Sequence, residues 1–299
     1  MTRPSIPARA NSDYLFTPIL CMNQLNIQER ARIIACLVEG CSLRSTVRLT
    51  GFAKRTVSRV MVETGRACAY HHDKLMRNLT CKVIQVDEIW NFTYCKQANI
   101  PPHLKDVKGI GDTWTWIAID ANTKLIPSWH VGDRSEASAS LFIGDLKDRL
   151  AHRIQLTSDG YRPYLEAVES AFGADVDYAM LIKMFGKQQN FEARYSPPQC
   201  IGVRRRKITG KPDRKLISTS FVECHNLTLR MNNRRFTRLS TGYSKKLENL
   251  KHSLALYFFH YNFCRIHHTL RVTPAMESGV TNRVWSVEEM AALKNENPK

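Results

Sequence analysis

The 299-residue sequence predicts an α/β protein in which a mixed sheet is preceded by an all-α helix-turn-helix domain. Three observations predict it. Apolar residues keep helical spacing up to about residue 78, then switch to β-branched runs that alternate with helical stretches. A single glycine, Gly51, separates two short amphipathic helical patterns near the start. The formal charge of +17 is unevenly distributed and marks out a neutral to acidic middle between two basic regions.

After a polar, Pro-containing leader over residues 1–20, "NIQERARIIACLVEG" places Ile27, Ile33, Ile34 and Leu37 at helical spacing and stops at Gly40. In "SLRSTVRLTGFAKRTVSRVMVETGRAC", Ser42 is an N-cap, a short helix runs to Thr50, and a second helix starts near Ala53. Gly51 stands where the turn calls for a positive φ. The second helix opens with Lys54, Arg55, Thr56, Ser58 and Arg59, residue types suited to phosphates and base edges. An ordinary helical hairpin with a solvated basic face has the same grammar. The +7 net charge of residues 1–80 favours the nucleic-acid reading and a domain over 21–78.

Next, "VIQVDEIWNFTY" reads as a strand, "TWTWIAIDANTKLIPSWHV" as two strands joined at Asn122, and "EASASLFIGDLKDRL" as a helix. "HRIQLTSDGYRP" is a short strand ending at Asp159-Gly160, "YLEAVESAF" a helix and "DYAMLIKMFG" a strand. A Pro- and Gly-containing basic insertion near 195–217 follows, expected as a loop or hairpin that interrupts the domain. It holds Arg204, Arg205, Arg206, Lys207, Lys211, Arg214 and Lys215. A long helical pattern then runs from Ser220 into the 230s. The order β-β-β-α-β-α-β-α implies a three-layer mixed sheet, antiparallel at first and then reached by crossover helices. This second domain spans 79–285, with a tail over 286–299.

The charge excess points to a polyanionic partner, nucleic acid before membrane surface. Lys183 to Lys251 holds 17 Lys and Arg against 4 acids, whereas Lys82 to Ile182 holds 10 against 14. The nine cysteines form no C-x-x-C pair and no zinc-like Cys/His cluster, so they are expected as reduced, mostly buried thiols. No window approaches the ~20 apolar residues of a membrane span, and "MTRPSIPARANS" lacks the apolar core of a signal peptide. A cytoplasmic protein is expected.

The stretch "CKVIQVDEIWNF" carries two consecutive carboxylates, Asp87 and Glu88, in an otherwise apolar strand. Asp159 lies just past the fourth strand, 72 residues on, and Glu223 near the start of the following helix, 64 residues further. If the first and fourth strands are neighbours, Asp87 and Asp159 meet at the sheet and a helix across it supplies Glu223. Three acids that close repel unless cations neutralise them, and such clusters bind two Mg²⁺ or Mn²⁺ for phosphodiester chemistry. Each acid alone has a bland reading: Asp159-Gly160 is a common turn pair, and Glu223 suits the first turn of a helix. Yet Glu223 is the only acid between Asp213 and Glu248, in a field of Arg230, Arg234, Arg235 and Arg238. Asn226 and Arg230 share its helix face, where a DNA backbone would pass.

Glu88 alternates to the opposite strand face and reads as structural. His225 lies roughly 200° around the helix from Glu223, which makes a direct metal role unfavourable. Tyr257, Phe258, Tyr261 and Phe263 read as core, and His267 and His268 as packed or exposed rather than catalytic.

The stretches "VDEIW", "TSDGYRPYLEAVE" and the long block from Phe221 to Ala275, ending "RIHHTLRVTPA", resemble the DDE transposases of the insertion-sequence-1 family of bacterial mobile elements. The resemblance covers about residues 42 to 285. It implies an RNase H-like catalytic domain behind a helix-turn-helix that reads element ends, with catalytic and metal-binding roles on Asp87, Asp159 and Glu223. It further implies two Mg²⁺ (or Mn²⁺) ions, double-stranded DNA as partner and a homodimer or larger assembly on DNA in a bacterial cell. Many members of that family begin with a Cys-rich zinc finger, and this chain has no such Cys spacing. Phosphate contacts are expected from Arg204, Arg205, Arg206, Lys207, Arg230, Arg234, Arg235, Arg238, Lys245 and Lys246. Two rival readings share the residues: a DNA-binding regulator derived from a transposase, and a metal-dependent nuclease that only hydrolyses.

Overall fold

The computed structural model describes residues 24–186 and 199–294. The leader 1–20, residues 195–198 of the basic insertion and residues 295–299 of the tail lie outside the described residues.

Helix α1 (Ile27–Val38) starts at Asn26, whose side chain accepts from the Glu29 N–H while the Glu29 carboxylate accepts from the Asn26 N–H. Two otherwise unpaired donors are thereby satisfied at once. Helix α2 (Leu43–Thr50) is capped by the Ser42 hydroxyl, which accepts from the Ser45 N–H. Gly51 takes φ +77° in the turn to α3 (Lys54–Leu75), where a side chain would be strained.

Strands β1 (Val83–Thr93), β2 (Gly111–Asp120) and β3 (Trp129–Gly132) precede α4 (Glu136–Arg149), β4 (Ile154–Ser158), α5 (Pro163–Phe172) and β5 (Val176–Phe185). After them come β6 (Cys200–Thr209), α6 (Ser220–Asn232), α7 (Leu247–Phe259), α8 (Pro274–Glu277) and α9 (Val287–Ala292). The sheet order is β3-β2-β1-β4-β5-β6. The three strands β1 to β3 are antiparallel, β4 and β5 run parallel to β1, and β6 returns antiparallel to β5.

Of the loop or hairpin expected for the basic insertion, the structure shows the hairpin: the run Arg204–Lys207 lies in the edge strand of the sheet, with Arg204 opposite Ile182 and Lys207 opposite Ala179. Pairing satisfies the backbone edge of β5, and the charged side chains of β6 protect the new edge from further pairing. Helix α6 runs from Ser220 into the 230s as expected and ends at Asn232. At Asn233 the backbone turns extended, and the Asn233 side chain accepts from the Arg235 N–H to open a single 3₁₀ turn over Arg234–Phe236. The described cysteines are free thiols, but only Cys68 and Cys81 are fully buried, fewer than expected. No helix among the described residues is long and apolar enough to cross a membrane.

Alternation along the strands sorts the layers. Ile84, Val86, Trp116, Ala118, Leu156 and Tyr178 face the apolar sides of α4 and α5. Ile89, Ile117 and Ile119 face Val222 and Leu229 of α6 and Leu254, Tyr257 and Phe258 of α7. Helix α7 is apolar nearly all round because it is covered on two sides. Its other flank, through Ala255, Leu256 and Phe259, joins the cluster that holds Ile33 of α1 and Met61 and Cys68 of α3. The aromatic stripe is therefore core, as the spacing predicts.

Helix α3 approaches α7 most closely at Gly65, where an added Cβ would lie 2.4 Å from the His252 carbonyl oxygen. Alanine inside a helix ordinarily stabilises relative to glycine by about 0.5–1 kcal/mol. Here the sign reverses: Gly65→Ala is expected to lower the unfolding free energy by about 1–3 kcal/mol through overpacking, read as a reduced urea midpoint.

Candidate active site

The parallel pairing of β1 with β4 covers only Val83–Gln85 against Gln155–Thr157. Two residues beyond the last pair, on the same face, the register brings Asp87 beside Asp159, which follows the end of β4. The carboxyl ends of parallel strands open a crevice there, because the two strands part to different connections.

Gln85 brings α6 to the same place. Its buried side-chain oxygen accepts from the Phe221 N–H at 2.8 Å and the Val222 N–H at 3.2 Å, satisfying two free donors at the amino end of α6. The N-cap residue Thr219 makes no cap of its own. Its hydroxyl instead donates to Glu223 Oε1 at 2.5 Å. Glu223, one turn along, thus reaches the crevice, and Asp87, Asp159 and Glu223 line one cavity of about 430 Å³ with Arg134, Lys183 and Thr219.

Each acid is held differently. Asp87 Oδ2 accepts from Asn226 Nδ2 at 2.8 Å, Asp159 Oδ1 accepts from the Tyr161 N–H at 2.9 Å, and Glu223 Oε2 pairs with the Lys183 ammonium. Burial, followed by repulsion from Glu88, Asp159 and Glu223, pushes the Asp87 carboxyl up to about 8. Burial likewise raises Asp159. Glu88 sits on the other face of β1, where its side chain is 1% exposed. It accepts from Arg134 at 2.7 Å and from the Tyr164 hydroxyl at 3.0 Å, and it is a structural acid as the alternation predicts. Arg134 lies over the rings of Trp114 and Tyr161, 4.7 and 4.2 Å from their centroids, so its charge is fixed at the cavity wall.

The donor set suits a hard cation: three carboxylates, two of them raised chiefly by burial, and the Asn226 Oδ1, buried with no partner among the described residues. As they stand, no three His, Cys, Asp or Glu side chains among the described residues are gathered closely enough to grip an ion. Lys183 pairs with one oxygen of Glu223, the Thr219 hydroxyl with the other, and Asn226 with one oxygen of Asp87.

The remaining candidates fall into two groups. Lys54, Arg55 and Arg59 are exposed at the start of α3 with Thr56 and Ser58 between them. Arg204, Arg205, Arg206 and Lys207 on β6, and Arg234, Arg238, Lys245 and Lys246 beyond α6, are also exposed. Three of the expected DNA contacts are also tied into the fold. Arg235 is engaged in the fold, donating to Ser244 Oγ at 2.8 Å and Ser253 Oγ at 2.9 Å, with burial lowering its guanidinium to about 10. Arg230 is half-buried against the Phe236 carbonyl. Asn226 holds Asp87 rather than lying open to a backbone. Arg134, Lys183, Thr219 and Gln85 were missed. A lysine inside the apolar strand "AMLIKMF" was a readable signal for Lys183, whereas nothing local distinguishes Arg134 or Gln85.

No protein-family model matches the sequence, and no curated protein does either. Among solved structures, a Mos1 transposase paired-end complex with left transposon end aligns at 12% identity with a TM-score of 0.23, over 52% of this chain and 59% of that one. An overlap that low does not establish a common fold.

Two outcomes are expected of the site. A carboxyl raised on folding favours the folded state below its ordinary value near 3.8, and that advantage is lost as pH rises through about 8. In EDTA the melting temperature therefore falls between about pH 5 and about pH 9. Asp87→Asn flattens that fall without abolishing it, since Asp159 is raised as well. Gln85→Leu leaves two buried N–H groups of α6 unpaired and is expected to lower stability by about 1–3 kcal/mol, measured by chemical denaturation.

Proposed function

We propose that the chain is a DNA transposase of the DDE kind, related to the insertion-sequence-1 family. In this reading its α/β domain is RNase H-like and the helices α2 and α3 form a helix-turn-helix. The observation that carries the reading is the convergence of Asp87, Asp159 and Glu223, from three distant points of the chain, on one crevice of a strongly basic protein. The reaction would be two phosphodiester displacements. Water adds to phosphorus at the element end and a 3′-hydroxyl leaves. That hydroxyl then attacks a target phosphodiester, joining the strands and releasing a target 3′-hydroxyl.

Asp87, Asp159 and Glu223 would hold two Mg²⁺ or Mn²⁺ ions, with the free Asn226 oxygen beside them. Such ions, when bound, activate the attacking oxygen and stabilise the leaving one. The chain's own residues do the rest. Lys183 neutralises Glu223 while the site is empty of substrate, and it becomes available to a phosphate when that pair opens. Asn226 orients the Asp87 carboxylate through its amide. Arg134, held between two rings, places a fixed positive charge where a scissile phosphate would enter.

Exposed cations on β6 and beyond α6 would grip backbone phosphates without reading sequence, and Lys54 to Arg59 would face base edges. Two element ends handled together call for a homodimer or larger assembly. The 3′-joining step separates this reading from a hydrolytic nuclease, and chemistry of any kind separates it from a regulator.

The test is strand joining with labelled element-end DNA and a plasmid target in Mg²⁺. Wild type is expected to give joined product and Asp159→Asn at least about a hundredfold less, the scale on which a transition-state electrostatic group acts. Cleavage without joining would favour the nuclease. Tight binding without chemistry in Mg²⁺ or Mn²⁺ would favour the regulator.

A further inference from the structure

Helix α6 has a second functional-looking flank. Opposite Glu223 and Asn226, its residues Phe221, Cys224, His225 and Thr228 line a separate cavity of about 370 Å³, closed by Lys124 and by the segment Arg265–Thr269 after α7. Its size is within the range of small-ligand sites, roughly 300–1,000 Å³.

Four basic side chains, Lys124, Arg265, His267 and His268, line this cavity, and no acid does. Asp120, the carboxylate that acts on Lys124, accepts from the Val83 and Thr123 N–H groups and from the Thr123 hydroxyl, so it is committed to its own turn. The Arg265 and His268 side chains have no partner among the described residues. Lys124 lies over the Phe221 ring, 3.8 Å from its centroid. His267 is held below its ordinary value by burial and by the charges of Lys124, Arg265 and His268. Crowding of like charges around a concavity is relieved by an anion.

An independent observation points the same way. His225 is 3% exposed and lines the cavity, yet neither ring nitrogen has a hydrogen-bond partner. Buried polar groups are nearly always paired, so an orphaned imidazole calls for a ligand that pairs it. The two ring nitrogens point apart, so a ligand edge pairs with one of them, as the edge of a nucleobase can. The rest of the wall is apolar and aromatic, formed by Ile119, Phe221, Tyr261 and Pro274.

The loop is preformed. The His267 N–H donates to the Val272 carbonyl and the Arg271 N–H to the His267 carbonyl, both at 2.9 Å. The His267 Nδ1 meets the Thr269 hydroxyl at 3.0 Å.

We infer that this cavity is a binding site for a nucleoside phosphate, with Lys124, Arg265 and His267 around the phosphate and His225, Phe221 and Tyr261 around the base. The ligand is either a free nucleotide or one residue of a nucleic-acid strand. The site lies across α6 from the acid cluster and stands apart from the reaction proposed above.

Cys224, exposed at the cavity, reports occupancy, and Cys200, exposed on β6, serves as an internal reference. The full-length protein in EDTA is alkylated with N-ethylmaleimide and both peptides are quantified by mass spectrometry. The probes are thymidine 5′-monophosphate, an eight-residue oligothymidylate, thymidine and inorganic phosphate. A probe at about ten times its dissociation constant should slow Cys224 alkylation about tenfold, with Cys200 unaffected by the mononucleotide.

Protection by the mononucleotide assigns a free nucleotide as sufficient, and protection by the oligonucleotide alone assigns a strand. Either must disappear in Arg265→Gln, an exposed position with no partner to lose, and must persist in Asp87→Asn, which separates this site from the acid cluster. Equal alkylation with every probe, protection that survives Arg265→Gln, or full protection by inorganic phosphate alone would each overturn the inference.

Discussion

The organisation of the crevice depends on one side chain. Gln85 stands on β1 two residues before Asp87, on the same face, and its oxygen takes the first free N–H groups of α6. An uncapped helix end in that position would leave buried donors unpaired, which is unfavourable enough to select one placement of the helix over the strand. From that placement follow the approach of Glu223 to Asp87, the contact of Asn226 with Asp87 and the cavity on the opposite flank. A polar residue in the middle of an apolar strand thus acts as the fixing point for an element 136 residues away in sequence.

Bringing carboxylates together in a poorly solvated crevice creates a charge problem, and the surroundings answer it in parts. Lys183 neutralises Glu223, Arg134 neutralises Glu88, and a backbone N–H and a carboxamide hold Asp159 and Asp87. Asp87 is left without a cationic partner, and burial first, then repulsion from Glu88, Asp159 and Glu223, raises its carboxyl. The same economy shapes the basic edge. Strand β6 carries cations along the open side of the sheet, so the residues that prevent unwanted strand pairing also form the exposed basic surface nearest β5.

Helix α7 joins the rest. One flank covers the sheet beside α6 and the other receives α3, whose Gly65 admits the His252 carbonyl. The amino-terminal helices are thereby part of the same packed core as Trp116 and Phe142, through Ile33, Met61 and Cys68. On α7, Tyr257 and Phe258 pack in turn against the His225 ring of α6.

Local periodicity and capping chemistry were legible in the sequence, because they depend on residues within one or two turns of each other. Ser42 and Gly51 mark the helix pair, alternation puts Glu88 behind the sheet, and the order of strands and helices implies a mixed sheet, in which the structure makes β1 and β4 neighbours. The isolation of Glu223 in a basic field singled it out with Asp87 and Asp159. What needed tertiary structure was every feature set by long-range pairing. Register decided that Asp87 and Asp159 lie side by side, the Gln85 cap decided where Glu223 arrives, and pairing with β5 decided between the loop and the hairpin expected for the basic run. The guanidinium of Arg235 could be separated from its exposed neighbours only by its contacts with Ser244 and Ser253. A sequence records which groups can pair and with what geometry nearby. Which of them actually meet, when they are a hundred residues apart, is decided by packing the layers into one core.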